Sequence, residues 1–222
     1  VGQTIQVIKV GESVGSFRTY KHKMLNGKPL NDFTDHNGDG LVDDLDIYED
    51  LNGDGIINED DLAIVGTAIP DWILGLTANV RWRKFDFSGT LRANLGNSVY
   101  NNVASSLGYY QGLTESNVTN NIHESAFIND FNERQLKSDV YIEDASFLRL
   151  DNISVGYNFD FSRIIQSLRI YATAQNLLTI TQYSGIDPEL PQFATGPFDG
   201  PGIDNNVYPI SRRFILGINA NF

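Results

Sequence analysis

The chain contains no cysteine among its 222 residues, which removes disulfide frameworks, thiolate metal sites and cysteine nucleophiles. It also lacks any run of eighteen apolar residues, so no segment is long enough to cross a membrane as a helix. Basic charge is scarce: 16 Lys and Arg stand against 28 Asp and Glu, for a formal net charge of -12. A nucleic-acid partner does not fit that balance. The start at Val1-Gly2-Gln3 has neither a basic region nor an apolar core, so it is not a signal peptide and reads as the interior of something longer. With 41% hydrophobic residues and 20 Gly, the composition is otherwise that of a folded protein.

The acidity is local. Twelve of the 28 acids lie between Asp32 and Asp61, where there is no Lys or Arg, and the other sixteen balance the sixteen bases. Net charge therefore describes one thirty-residue segment rather than the whole surface.

The main pattern is strict alternation in segments of about ten residues. Trp72, Leu74, Leu76, Ala78, Val80 and Trp82 face one way, with Asn79 and Arg81 among those opposite; Phe85, Phe87, Gly89, Leu91, Ala93 and Leu95 follow after a very short turn. A third segment runs from Ala145 to Phe159, with a phase change near Leu148 to Leu150 that predicts a bulge. A fourth alternates from Leu168 to Gln175, and a fifth closes the chain with Phe214, Leu216, Ile218, Ala220 and Phe222 on one face. Two weaker strands are expected around Thr4 to Val10 and Val14 to Lys23.

Connections alternate between short links and three long ones, Met24 to Asp71, Asn97 to Asp144 and Thr181 to Arg212. Loops this long count against an ordinary soluble domain, whereas short turns at one rim and long loops at the other are the layout of a transmembrane β-barrel. The second face of each strand carries Asn, Thr, Ser, Gly, Gln and Arg, suited to a wet lumen, and aromatics sit at segment ends. The expected fold is all-β: a transmembrane antiparallel barrel with long extracellular loops. Seven strands cannot close a bacterial barrel and would leave open edges in lipid, so these are the C-terminal part of a larger one. The rivals are a secreted calcium-stabilised β-sandwich or adhesin module, and a gated porin.

Within the acidic segment, Asp35, Asn37, Asp39, Leu41, Asp43 and Asp46 take positions 1, 3, 5, 7, 9 and 12 of a calcium loop, with Gly40 at 6. Fifteen residues on, Asp50, Asn52, Asp54, Ile56, Asn58 and Asp61 repeat the pattern around Gly55. Alternating side-chain oxygens and the Leu41 and Ile56 carbonyls suit one hard cation per loop, and calcium better than magnesium, which demands tighter geometry. Position 12 carries Asp instead of the longer Glu, and no helix is expected before either loop, so the pair is closer to dockerin-like loops than to sensor EF-hands. The expected role is structural. A solvated acidic loop with Asn-Gly turns is the alternative, and two full matches in tandem weigh against it.

Other signals are set aside. Gly11-Glu12-Ser13-Val14-Gly15 has the spacing of a nucleophile elbow but is followed by a strand, and His22, His36 and His123 have no triad context, so a turn is expected and no enzyme is indicated. Asn117-Val118-Thr119 and Asn152-Ile153-Ser154 are chance glycosylation sequons. Loop aromatics around Tyr109, Tyr110 and Phe198 are candidates for stacking on substrate.

The runs Asp144 to Tyr157, Ala174 to Thr181, Tyr183 to Glu189 and Asn206 to Phe214, with the terminal Asn221-Phe222, closely resemble the C-terminal strands of SusC/RagA-type TonB-dependent outer-membrane transporters of Bacteroidetes. So do the Asp50 to Asp61 loop followed by Gly66 and Pro70, and Gly96 to Asn101. The resemblance implies a 22-stranded barrel in the outer membrane of a Gram-negative bacterium, with its plug domain and N-terminal strands outside this sequence. It further implies energy from the TonB complex and glycan or peptide uptake under a SusD-like surface lipoprotein. It also makes Phe214, Leu216, Ile218, Ala220 and Phe222 a signal for the barrel-assembly machinery as well as a lipid-facing strand.

Overall fold

A computed structural model describes residues 5–114, 121–161, 166–190 and 200–222. Thr4, the first sequon and Phe198 lie outside these residues. The chain divides into two compact units, one of residues 1–69, 97–144 and 184–207, the other of residues 70–96, 145–183 and 208–222.

In chain order the strands are β1 (Gln6–Val7), β2 (Ser16–Thr19), β3 (Met24–Leu25), β4 (Lys28–Pro29), β5 (Ala63–Thr67), β6 (Trp72–Trp82), β7 (Phe85–Leu95), β8 (Ser98–Asn101), β9 (Ile142–Asp144), β10 (Phe147–Asp160), β11 (Ser167–Thr181), β12 (Ile203–Asp204) and β13 (Arg213–Asn221). Short helices α1 (Asp44–Ile47), α2 (Asn102–Leu107) and α3 (Ser125–Asn129) lie in the long connections.

The second unit is one antiparallel sheet in the order β13-β11-β10-β7-β6. Its strands run for 11, 11, 14, 15 and 9 residues in chain order, the length a tilted strand needs to cross a bilayer. Register aligns like with like. Leu76, Leu91, Leu150 and Leu178 form one cross-strand row, and Trp82, Phe85, Tyr157, Ile170 and Ile218 another. Opposite them run Asn79, Ser88, Ser154 and Thr173, the last two hydrogen-bonded at 2.9 Å. The bulge falls at Asp151, where register shifts between Leu150 and Asn152 against both neighbours. This extra residue moves the apolar phase from Leu148 and Leu150 to Ile153 and Val155, and Asp151 accepts from Arg92 Nε at 3.1 Å.

None of the residues in the buried hydrophobic cluster belongs to this sheet; Ile5, Phe17, Tyr100, Ala104, Tyr109, Phe131, Tyr141 and Ile203 are all in the first unit. The sheet's apolar side is open instead, with Leu216 86% and Trp82 59% exposed. A β-sandwich would cover that side with a second sheet, and among the described residues of this unit there is none. Apolar side chains without a core are at rest only against lipid, so this is the wall of a partial transmembrane barrel. Among the described residues no helix is long and apolar enough to span a membrane.

The two weak strands depart from expectation. β1 and β2 are short and pair with each other and with β5, not with the long sheet, so five of the seven expected strands make the wall. The stretch between them is a turn in which Gly11 and Gly15 have φ of +94° and +77°, which ends β1 on one side and bounds the start of β2 on the other. The remainder of the first unit is a β12-β8-β9 sheet, the β3-β4 hairpin and the short helices.

Candidate metal centre

The acidic segment folds as two near-identical turns. In the first, Asp35 accepts from the amides of Gly38 (2.6 Å) and Gly40 (2.9 Å), Asn37 Oδ1 from Asp39 N–H (2.8 Å), and Asp39 Oδ1 from Leu41 N–H (2.8 Å). In the second, Asp50 accepts from Gly53 (2.6 Å) and Gly55 (2.8 Å), Asn52 from Asp54 (2.9 Å), and Asp54 from Ile56 (2.9 Å). Each side chain bonds an amide a few residues ahead, winding the backbone around the side-chain oxygens. The winding needs left-handed backbone twice per loop, at Gly38 and Gly40 (φ +80° and +92°) and at Gly53 and Gly55 (+77° and +80°).

Each loop closes on a capping box. Asp43 caps α1 by accepting from Leu45 N–H, and Asp46 returns the bond to Asp43 N–H. Asn58 does the same for a 3-10 turn at Glu59–Asp61, with Asp61 reciprocating. The residues at positions 9 and 12 are thus also helix-start residues. Asp46 and Asp61 are fully buried, and each takes two further N–H groups, from His36 and Asn37 and from Leu51 and Asn52. Burial would push the Asp46 carboxyl up, but the Asp43, Asn37 and His36 amides outweigh it and hold it below the usual carboxylate range. For Asp61 the Asn58 amide is the largest influence and prevails over burial, again lowering it. Asp44 is raised, by burial first and by the Asp43 charge second.

Among the described residues, cationic side chains reach the loops through backbone oxygens. Lys23 Nζ donates to Leu45 O (2.5 Å) and Arg18 Nη2 to Glu59 O (2.6 Å). No loop carboxylate is ion-paired with a Lys or Arg among the described residues. Nor do three or more His, Asp or Glu side chains there form a group that could hold a metal. The expected donor set is of another kind: Asp, Asn and a backbone carbonyl contribute together, so carboxylates need not converge alone. Asn37, Asp39, Leu41 and Asp43 are exposed and Asp35 half-buried, and Asn52, Asp54 and Ile56 are exposed, so most of the expected donors have oxygen lone pairs open to solvent.

The segment is tied to its unit at three points that sequence reading did not find. Asp32 accepts from the amides of Asn132 and Glu133, both at 2.7 Å, and from Gln135 Nε2 at 3.0 Å. Between the loops, Tyr48 O–H donates to Gln135 Oε1 at 2.6 Å, and burial raises its hydroxyl well above the ordinary value. Beside it lies buried His22, whose ring contacts Ser138 Oγ (3.1 Å) and Leu30 O (2.8 Å) and whose protonation burial disfavours. Apart from Leu30, these partners are about a hundred residues away in sequence, and no local pattern marks them.

Other candidates resolve differently. Tyr109 is 7% exposed and part of the buried cluster, so it is not free to stack on a substrate; its ring serves the core. Tyr110 is partly open, bonded to Asp130 Oδ1 at 3.0 Å and edge-on to exposed Phe127. His123 bonds Ser125 locally, His36 meets Asn31 O, and His22, though beside Ser138 Oγ, has a backbone carbonyl rather than a carboxylate at its other ring nitrogen, so none of the three stands in a triad among the described residues. Phe214, Leu216, Ile218 and Ala220 share the open face of β13, with exposed Phe222 following it.

The lumen face carries its own polar row. Arg169 clasps Asp86 through Nε (3.0 Å) and Nη2 (2.5 Å), and Asn158 Nδ2 adds a third bond at 2.8 Å. Arg169 also lies 4.6 Å over the Tyr171 ring. Gly156 stands between Asp86 and Tyr171 in register, and a Cβ there would sit 2.6 Å from both Asp86 oxygens. Gly217 opposite Tyr171 similarly leaves room for that ring.

No protein-family model matches the chain. Among curated proteins it is 35% identical over 98% of its length to a TonB-dependent receptor SusC of Bacteroides thetaiotaomicron, of which it spans 20%. It is 29% identical, again over 98%, to TonB-dependent receptor P3 of Formosa agariphila, spanning 23%. Among solved structures it is similar to a RagAB peptide transporter (TM-score 0.59, 22% identity, 91% of this chain and 22% of that one). A RagAB peptide importer in an open-open state gives a TM-score of 0.62 at 21% identity, over 93% and 22%. The chain thus spans about a fifth of the length of the relatives it matches.

Proposed function

Because the chain belongs with the SusC/RagA-type TonB-dependent receptors, we propose that it forms C-terminal wall strands of an outer-membrane importer of nutrients, glycan or peptide. The observation that carries this reading is the five-stranded sheet, apolar and uncovered on one side and polar on the other, in a chain whose relatives bear the receptor name. On this reading the chain serves transport rather than catalysis, in line with the receptor names its relatives carry. TonB would supply energy through a part outside this sequence, and a SusD-like lipoprotein would present substrate at the long-loop side. The test is growth of a strain lacking the gene on defined glycans and peptides. Loss of growth on one class, reproduced by removing TonB, supports import; unimpaired growth throughout, with the protein recovered outside the outer-membrane fraction, refutes it.

The tandem loops would each take one structural calcium ion. Asp35, Asn37, Asp39, Leu41, Asp43 and Asp46 would hold the first, and Asp50, Asn52, Asp54, Ile56, Asn58 and Asp61 the second. What supports this is the mixed oxygen set, wound twice into the same turn, on a segment whose carboxylates make no ion pair with a Lys or Arg among the described residues. Two divalent ions would offset four negative charges and let the segment keep its order. Titration calorimetry on the chelator-stripped full-length receptor should show heat that falls by half in Asp35→Ala or Asp50→Ala. No heat at millimolar calcium would refute the assignment.

A further inference from the structure

We propose that the hairpin tip joining β6 to β7 binds the phosphate of anionic phospholipid headgroups, through the Arg83 guanidinium with Lys84 beside it. The tip is a two-residue turn closed by the Trp82–Phe85 pair, with Arg83 at φ +54°. It is fixed against the next strand, because Asn158 donates to Lys84 O from both its backbone N–H (2.8 Å) and its Nδ2 (3.2 Å). The cations are thus presented from a rigid edge.

An aromatic row lies on the lipid side of that edge. Trp82 stacks on Phe85 (6.3 Å), Phe85 meets Tyr157 edge-on (4.8 Å), Tyr157 meets Phe159 (4.7 Å), and Phe159 stacks on Phe161 (6.3 Å). Rings of this kind settle at headgroup depth. Short turns of bacterial barrels lie at the periplasmic rim, where the facing leaflet is phospholipid.

The charges select the occupant. Arg83 lies 5.3 Å over the Trp82 ring, which restrains it without neutralising it, and no carboxylate pairs with it among the described residues. Lys84 is 3.7 Å from Asp160 with both side chains exposed, a weak pair that an incoming phosphate can displace. The nearest other acid, Asp86, is on the opposite face and already held by Arg169, and Arg81 shares that face. On the lipid side this leaves a guanidinium whose planar fork matches two phosphate oxygens. The flanking Val80, Phe87 and Val155 offer an apolar surface for acyl chains, which free phosphate would not use.

The test uses the full-length receptor, exchanged into phosphatidylglycerol or phosphatidylcholine and examined by native mass spectrometry, with heat-dependent gel mobility confirming a closed barrel. Wild type should retain phosphatidylglycerol over phosphatidylcholine. Arg83→Gln should lower phosphatidylglycerol retention about fivefold, the weight of one basic residue at an anionic surface, and leave phosphatidylcholine unchanged, while Arg83→Lys should keep part of the effect. Independently of any variant, raising salt should release phosphatidylglycerol from wild type but not phosphatidylcholine. The proposal is overturned if Arg83→Gln retains phosphatidylglycerol as wild type does. It is equally overturned if both lipids are lost together, if salt has no effect, or if millimolar inorganic phosphate displaces the lipid.

Discussion

Replacing Gly156 by alanine should destabilise the barrel wall, against the general rule that glycine in a strand is the poorer residue. Exchanging Gly for Ala would by itself gain about 0.5–1 kcal/mol from reduced backbone entropy. At this position the new methyl would lie 2.6 Å from both Asp86 oxygens and 2.7 Å from Arg169 Nε. The carboxylate would have to swing away from two Arg169 bonds and one Asn158 bond, and hydrogen bonds to charged groups contribute about 1.5–3 kcal/mol each. Since the pair is 30% and 22% exposed, water recovers part of that loss. A loss of about 2–3 kcal/mol against a gain below 1 leaves a net cost of about 1–2 kcal/mol. In an Asp86→Ala background the carboxylate is gone and the Arg169 side chain, released from its partner, is free to move off the new methyl, so the same substitution should cost much less. The assay is the denaturation midpoint of the full-length receptor, read from heat-dependent gel mobility in urea. A Gly156→Ala protein as stable as wild type, or one with the same cost in both backgrounds, would refute the reasoning.

Three further outcomes are expected. Gly217→Val should destabilise the wall by driving the Tyr171 ring from its place, and Tyr171→Ala should relieve most of that cost in the same assay. Tyr48→Phe leaves Gln135 Oε1 without its buried donor and should cost about 1–3 kcal/mol; hydrogen exchange should rise over residues 131–139, and unchanged exchange there would contradict the role given to Tyr48. Asp46 and Asp61 have depressed carboxyl pKa values, so their contribution to stability is complete above the unfolded value near 4 and is lost as pH falls through the folded values. In calcium-free buffer the amides of His36, Asn37, Leu51 and Asn52 should therefore stay protected at pH 5 and open only in stronger acid; opening between pH 6 and 5 would contradict this.

What could be read from sequence was what repeats at short range. Period-two alternation located β6, β7, β10, β11 and β13 and pointed to a bulge near Leu148 to Leu150, just before its place at Asp151, because each wall strand has one solvent on each side and its side chains must alternate accordingly. Calcium-loop spacing marked the two turns, because the Asx bonds that wind them join residues two to five apart. The first unit was not legible in the same way. The two weaker strands were counted with the wall, but Ile5 and Phe17 of that stretch fill a core closed by Tyr100, Phe131 and Tyr141 from distant segments. Tyr109 looked like a binding aromatic, since composition alone does not separate an exposed ring from a buried one. Asp32, Tyr48 and Gln135 gave no signal, their bonds spanning 87 to 103 residues. The Asp86–Arg169 pair was equally silent until register brought the strands together.

The central claim is that one side of the five-stranded sheet faces lipid and the other an aqueous lumen. Because this chain has no cysteine, single cysteines can be placed in it one at a time in the full-length receptor, spin-labelled and reconstituted into vesicles. Labels at Leu76, Leu91, Val155 and Ile218 should be relaxed by oxygen, which partitions into the bilayer. Labels at Asn79, Ser88, Ser154 and Thr173 should respond to a water-soluble nickel complex. Alternation of the two responses along each strand is the expected result; nickel access at both sets, or oxygen at both, would contradict the claim.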